Sequence, residues 1–207
     1  MDPLVINLLA GGGRPSTLVF LDSATARAPT ITVPAGVRNG DVGILLDAAS
    51  NTGSTPASVT PSGWTKVQEN SNFPQRQIFS VKVLTASDAG ATVTGMSAFN
   101  EDKTLLVLRP DIPAATLTTA SVNGQATSSA PTNQTVTASA GAVPLVVVAG
   151  YTSGTLSLTF SPTQDGTVST TYQQLRYKIY NSSPADVTVG MSDGGNNAMQ
   201  SFYLQVS

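Results

Sequence analysis

An all-β fold, a β-sandwich or jelly roll built from two similar halves behind an extended N-terminal arm, is predicted by three features of these 207 residues. Apolar residues come in short runs of about six, rich in Val, Ile, Thr and aromatics, as strands require. Turn signals separate the runs, and no segment keeps a capped 3.6-residue apolar period, which excludes βαβ architecture. The order of the runs in the first half also recurs in the second.

The elements follow in order. Ile31-Thr32-Val33 leads through the turn residues Pro34-Ala35-Gly36 and Asn39-Gly40-Asp41 to the apolar run Gly43 to Ala48. Pro61-Ser62-Gly63 then precedes Trp64-Thr65, and Gln77 to Leu84 alternates Ile78, Ser80 and Lys82 with Phe79, Val81 and Val83. Ala86 to Ala91 has room for one helical turn. Thr92 to Ser97 and Thr104 to Arg109 complete the first half, with Asn100-Glu101-Asp102-Lys103 reading as a solvated turn between them.

The second half replays this order. Thr135-Val136-Thr137 answers Ile31 to Val33, Leu145 to Gly150 answers Gly43 to Ala48, and the turn Asp165-Gly166 answers Ser62 to Thr65. Leu175 to Tyr180, Val187 to Ser192 and Ser201 to Val206 follow, at offsets of 95 to 104 residues. Tyr177 and Tyr180 fall on opposite faces of one strand, so at most one is expected in a core. Lys178 beside them implies that one face is mostly wet. The domain reading is an arm over residues 1–15, one repeat over 16–110 and another over 111–207. The stiff join Arg109-Pro110-Asp111-Ile112-Pro113 suits packing of the repeats as one unit, with two discrete small domains as the alternative.

Composition narrows function. Charged residues are 11% of the chain, against about 25% in ordinary globular proteins. Thr and Ser, 27 and 23 copies, supply uncharged polar faces. Such faces are cheaper to desolvate against a partner than charged ones. Net charge is −2 with scattered basic residues, so no nucleic-acid track is expected. The apolar stretch Leu4 to Ala10, interrupted by Asn7, is too short to span a bilayer, so no membrane partner is expected.

With no histidine and no cysteine, the chain lacks the usual general base, thiol nucleophiles and common zinc ligands, which argues against an enzyme. Its only glutamates are Glu69 and Glu101. The loop Ser192-Asp193-Gly194-Gly195-Asn196-Asn197 offers at most a weak calcium site near Asp193 and lacks the alternating acids of a calcium loop. No metal and no cofactor is expected. Trp64, Tyr151, Tyr172, Tyr177, Tyr180 and Tyr203 are the aromatics that could stack on a sugar, although Trp64, opening a strand after Gly63, reads better as a structural plug at the end of a sandwich core.

The arm is the remaining candidate. Leu4, Val5, Ile6, Leu8 and Leu9 precede the hinge Gly11-Gly12-Gly13, and this greasy segment is expected to be the partner-binding element. Burying such side chains is worth roughly 1.5–3 kcal/mol each. Ordering the backbone offsets much of this, at about 1–2 kcal/mol per residue.

One resemblance rests on Val33-Pro34-Ala35-Gly36-Val37, Asn39-Gly40-Asp41-Val42, Pro61-Ser62-Gly63-Trp64-Thr65 and Val81-Lys82-Val83-Leu84-Thr85-Ala86-Ser87-Asp88-Ala89-Gly90. This series resembles a β-sandwich repeat found in bacteriophage virion proteins and related prophage or surface proteins. The resemblance covers residues 30 to 110. It implies a non-enzymatic structural protein of the virion, assembled in the host cytoplasm, that decorates the capsid or belongs to the tail. Its partners would be other virion proteins and copies of itself, with a host-surface adhesin that binds a glycan as the alternative.

Overall fold

The computed structural model describes residues 16–50, 57, 59–72, 75–96, 102–127, 132–152, 158–171, 173–191 and 197–207. The predicted arm, residues 1–15, lies outside them, as do Glu101, Tyr172 and Asp193.

The described residues are strands and turns, with a single 3-10 turn at Ala86–Asp88. Numbered in chain order, the large sheet of the first half runs β1 (Leu18–Ala26), β7 (Asp102–Pro110), β3 (Val42–Ser50), β5 (Gln75–Val83), β4 (Thr65–Asn72). The large sheet of the second half runs β8 (Leu117–Thr127), β15 (Asn197–Val206), β10 (Leu145–Thr152), β13 (Gln173–Tyr180), β12 (Gly166–Ser169). Every adjacent pair is antiparallel.

The two orders are one order repeated, so the chain is built from two similar halves. Aligning the strand starts, Leu18 opposite Pro110 and Leu117 opposite Val206, each preceded by the same backbone bond (Asp111 N–H to Thr17 O, Ser207 N–H to Thr116 O), sets the equivalences residue by residue and shifts the sequence match of Gly43 from Leu145 to Val147. Ile44 pairs with Val81 and Leu106, and Val148 pairs with Tyr177 and Phe202, which makes Ile44 the counterpart of Val148. Even the irregularity recurs, with a bulge in β1 between Phe20 and Asp22 and one in β8 opposite Phe202. Such bulges are retained features of a strand.

Each large sheet carries a small one on its outer face. The first is covered by β2 (Ile31–Thr32) and β6 (Thr92–Val93), the second by β9 (Gln134–Val136), β14 (Val187–Met191) and β11 (Leu158–Ser161). The large sheets then pack on each other, giving four layers and three cores. The central core joins the halves through Ile44, Leu46, Phe79 and Leu106 on one side and Val146, Val148, Leu175 and Phe202 on the other. Phe79 and Phe202 meet edge to face at 5.1 Å, the geometry that the ring quadrupole favours. Gly150 makes this possible, because a Cβ there would stand 2.7 Å from the tip of Phe79. Across the interface β4 lies over β8 and β1 over β12. These contacts are equivalent, so the halves are related like the subunits of an isologous dimer fused into one chain.

Burial on both faces corrects two expectations. Tyr177 and Tyr180 are both core residues, one in the central core and the other in the outer core of the second half. The face that carries Lys178 is half-buried and polar, with Gln174 and Arg176 beside it, and Lys178 Nζ donates to Thr163 O and Asp165 at 3.0 and 3.2 Å. Asp102 and Lys103 do not form a solvated turn: they open β7, and Lys103 is 0% exposed. The physical reason is shared. A period of two assigns side chains to faces, and here each face of a large sheet meets another sheet.

The turn motifs hold the sheet edges in place. Gly40 has φ +84°, and a Cβ on it would overlap Pro113. That position needs glycine. The buried Asp41 carboxylate accepts from Arg109 Nε at 2.9 Å and Nη2 at 2.6 Å, and from the Arg38 backbone N–H at 2.9 Å. Hydrogen bonds to Asp41 hold the Arg109 guanidinium above its ordinary pKa despite partial burial. In the 3-10 turn, Asp88 accepts from the Thr85 backbone N–H at 2.8 Å and from Lys82 Nζ at 2.6 Å.

Candidate attachment site

The site begins where the arm enters the fold. Thr17 N–H and Ser16 Oγ–H donate to Asp111 Oδ1 at 2.6 and 3.0 Å, and Asp111 N–H donates to Thr17 O at 2.9 Å. The Thr17 backbone bond, outweighing desolvation, holds the Asp111 carboxyl below the usual carboxylate range. One residue on, Leu18 N–H donates to Asn181 Oδ1 at 2.6 Å and Leu18 O accepts from Asn181 Nδ2 at 3.0 Å. The base of the arm is thereby tied to the join between halves and to the second half.

Val19 and Phe20 are 53% and 46% exposed, and Ile112, next to Asp111, is 52% exposed. Val122, in the bulge of β8, is the other large exposed hydrophobic residue among those described. β1 is an edge strand, so it also presents unpaired backbone groups on its outer side. Sequence reasoning missed this patch. The only signal was the apolar triplet Val19-Phe20-Leu21, of which Leu21 packs against the outer core.

The other sequence candidates fall elsewhere. Leu4, Val5, Ile6, Leu8 and Leu9 precede the described residues. Trp64 is 8% exposed, in the outer core of the first half with Ile31, Leu45, Leu84 and Leu105. Gly43 makes room for its ring, since a Cβ there would lie 2.8 Å from the indole. Tyr177, Tyr180 and Tyr203 are buried as well, with Tyr203 Oη bonded to Ser139 Oγ at 3.0 Å. Four of the six aromatics weighed for sugar stacking therefore belong to cores, while the Tyr151 side chain and Tyr172 lie outside the described set.

The carboxylates serve the scaffold. Asp47 is ion-paired with the buried Lys103, which also donates to Ala48 O at 3.3 Å. Asp102 accepts from Thr170 Oγ1 at 2.7 Å across the interface between halves and faces Arg27 at 3.5 Å. Glu69 lies 2.9 Å from both Lys66 and Arg76. Among the described residues no cluster of three or more acidic groups could hold a metal ion. No helix among them is long and apolar enough to cross a membrane.

Compared with models of known protein families, with curated proteins and with solved structures, the chain matches none.

Proposed function

We propose that this chain is a non-enzymatic structural protein of a bacteriophage virion, which binds the capsid or tail and decorates or stabilises the particle. The observation that supports this reading best is the exposure of the apolar residues Val19, Phe20 and Ile112 at the anchored start of β1 and at the join between halves, shortly after the aliphatic segment in sequence. The attachment element of this reading is the aliphatic segment together with these exposed residues, and its partners are other virion proteins or further copies. A sparsely charged surface rich in hydroxyls suits coverage in an assembly, because little charge must be desolvated. Asp47, Glu69 and Asp102 of the first large sheet, and Asp41 just before β3, are bound to lysine, arginine or hydroxyl partners, which leaves scaffold work as their role, and the strands of the second large sheet carry no carboxylate.

The test is a deletion of residues 1–13 beside the double substitution Val19→Asp/Ile112→Asp. Each product is expected to remain folded, with nearly unchanged melting, and to drop out of particles in sedimentation. Normal incorporation of both would defeat the attachment reading, and a much earlier melt of the truncated chain would assign the arm to the fold.

A further inference from the structure

The approximate two-fold between halves creates two equivalent grooves, one where β1 passes over β12 and one where β4 passes over β8. They are filled differently. In the first, Phe20 stacks on Tyr177 with ring centroids 6.0 Å apart and planes 15° from parallel. Gly166, paired with Tyr177, makes room for that ring, because a Cβ there would overlap it.

Ladder registers identify the residues at the same three places in the second groove. Val81 stands for Tyr177, since they pair with Ile44 and Val148. Thr65, paired with Val81, stands for Gly166. Thr119, paired with Leu204, stands for Phe20, paired with Leu108. All three small side chains line an open cleft of about 270 Å³. Val67, Val83, Leu117, Lys66 and Lys82 also line it. Both lysines are neutralised locally, Lys66 by Glu69 at 2.9 Å and Lys82 by Asp88 at 2.6 Å. The cleft therefore offers an uncharged group the aliphatic side chains of Val67, Val81, Val83 and Leu117 among hydroxyls and two locally paired lysines.

We infer that this cleft receives the aromatic side chain of a partner polypeptide, the ring taking the place that Phe20 fills on the other side. The space suffices, since an apolar cavity of about 150 Å³ already holds a benzene ring. A strand delivers the ring in the filled groove, and the open cleft likewise lies along an edge strand, β4. Residues 1–15 contain no aromatic side chain, so the arm of this chain cannot supply the ring. The inference does not depend on the chain being a virion component.

The test follows the methyl groups of Val81, Val83 and Leu117 by NMR in the full chain. The added probes are N-acetyl-tyrosinamide, N-acetyl-leucinamide and p-cresol. Saturable shifts are expected with the tyrosine amide, at least about tenfold weaker with the leucine amide. Thr65→Gly/Val81→Tyr/Thr119→Phe, which transplants the plug, is expected to remove these shifts, and Thr119→Phe alone to weaken them. The single variant stands in should the triple fail to fold. No saturation with the tyrosine amide, equal response to the leucine amide, or binding retained in Thr119→Phe would overturn the inference. Binding of p-cresol without the amide would overturn the partner polypeptide in favour of a free aromatic compound.

Discussion

Across the β3–β7 ladder of the first half, Asp47 stands opposite Lys103 and Asp41 is bound to Arg109. At the equivalent places on the β10–β15 ladder of the second half, Tyr151 stands opposite Met199 and Leu145 opposite Gln205. The same backbone positions thus carry ion pairs in one half and uncharged pairs in the other. Strand order, register and even the bulge are kept while the chemistry of the pairs changes. The ladder keeps its register whether the residues opposite each other are charged or uncharged. Buried ion pairs behave this way in general: breaking one is costly, whereas exchanging both partners for apolar groups is often neutral or better.

The largest expected effect comes from breaking that symmetry at one residue. Lys103→Met leaves the Asp47 carboxylate buried without its counter-ion and is expected to cost about 3–5 kcal/mol. Asp47→Leu/Lys103→Met, which copies the uncharged character of the second half, should lose far less. A urea-unfolding cycle measures both, and a double variant as unstable as the single would break the comparison.

Trp64→Ala tests the outer cores. The second half has no tryptophan, and Val147, the counterpart of Gly43, fills its outer core directly. The first half depends on one large ring, so its loss should cost on the order of 3 kcal/mol or more. A melt shifted by no more than a surface substitution would show that the two-stranded outer sheet needs no plug.

A smaller contrast concerns two equivalent glutamines in the central core. Gln173 accepts from Thr104 Oγ1 at 2.7 Å and donates to Leu46 O at 3.4 Å, whereas the fully buried Gln77 side-chain amide makes no hydrogen bond among the described residues. Gln173→Leu strands the Thr104 hydroxyl and should cost about 1–3 kcal/mol, while Gln77→Leu should be near neutral or stabilising. Equal losses at the two positions in parallel unfolding curves would remove the distinction.

The smallest effect is in the pH profile, where the halves should fail at opposite ends. All five tyrosines lie in the second half. Burial first, and the Asp165 charge second, push the Tyr177 and Tyr180 phenols above their ordinary pKa of 10.0. The unfolded chain then ionises before the folded one, so this stability is complete below about pH 10 and falls as pH rises. In the first half burial raises the Asp88 pKa, but bonds from Lys82 and Thr85 outweigh it and hold the group below 3.8. That contribution is present above the ordinary carboxylate range and falls as pH drops through it. Amide exchange by segment should show the second half opening first in alkali. Uniform opening would count against the assignment.

Much of this molecule was legible in its sequence because the signals were local. Period-two runs, Gly, Pro, Asn and Asp at turns, and the recurring order of runs determined an all-β chain of two similar halves. The clearest hint of two-sided burial was there too, in the unbroken Leu145 to Ala149, a pattern typical of strands covered on both faces. β1 and β8 went unread as a matching pair because edge strands are half wet and β8 is mostly Thr, Ala, Ser and Asn. Only the tertiary structure decided that Tyr177 and Tyr180 are both core and that Lys103 is buried in a strand. It alone decided that Phe20 closes one groove while Thr119 leaves its counterpart open. Those outcomes depend on which sheet covers which face and which edge crosses which, relations between residues far apart in the chain that no local period records.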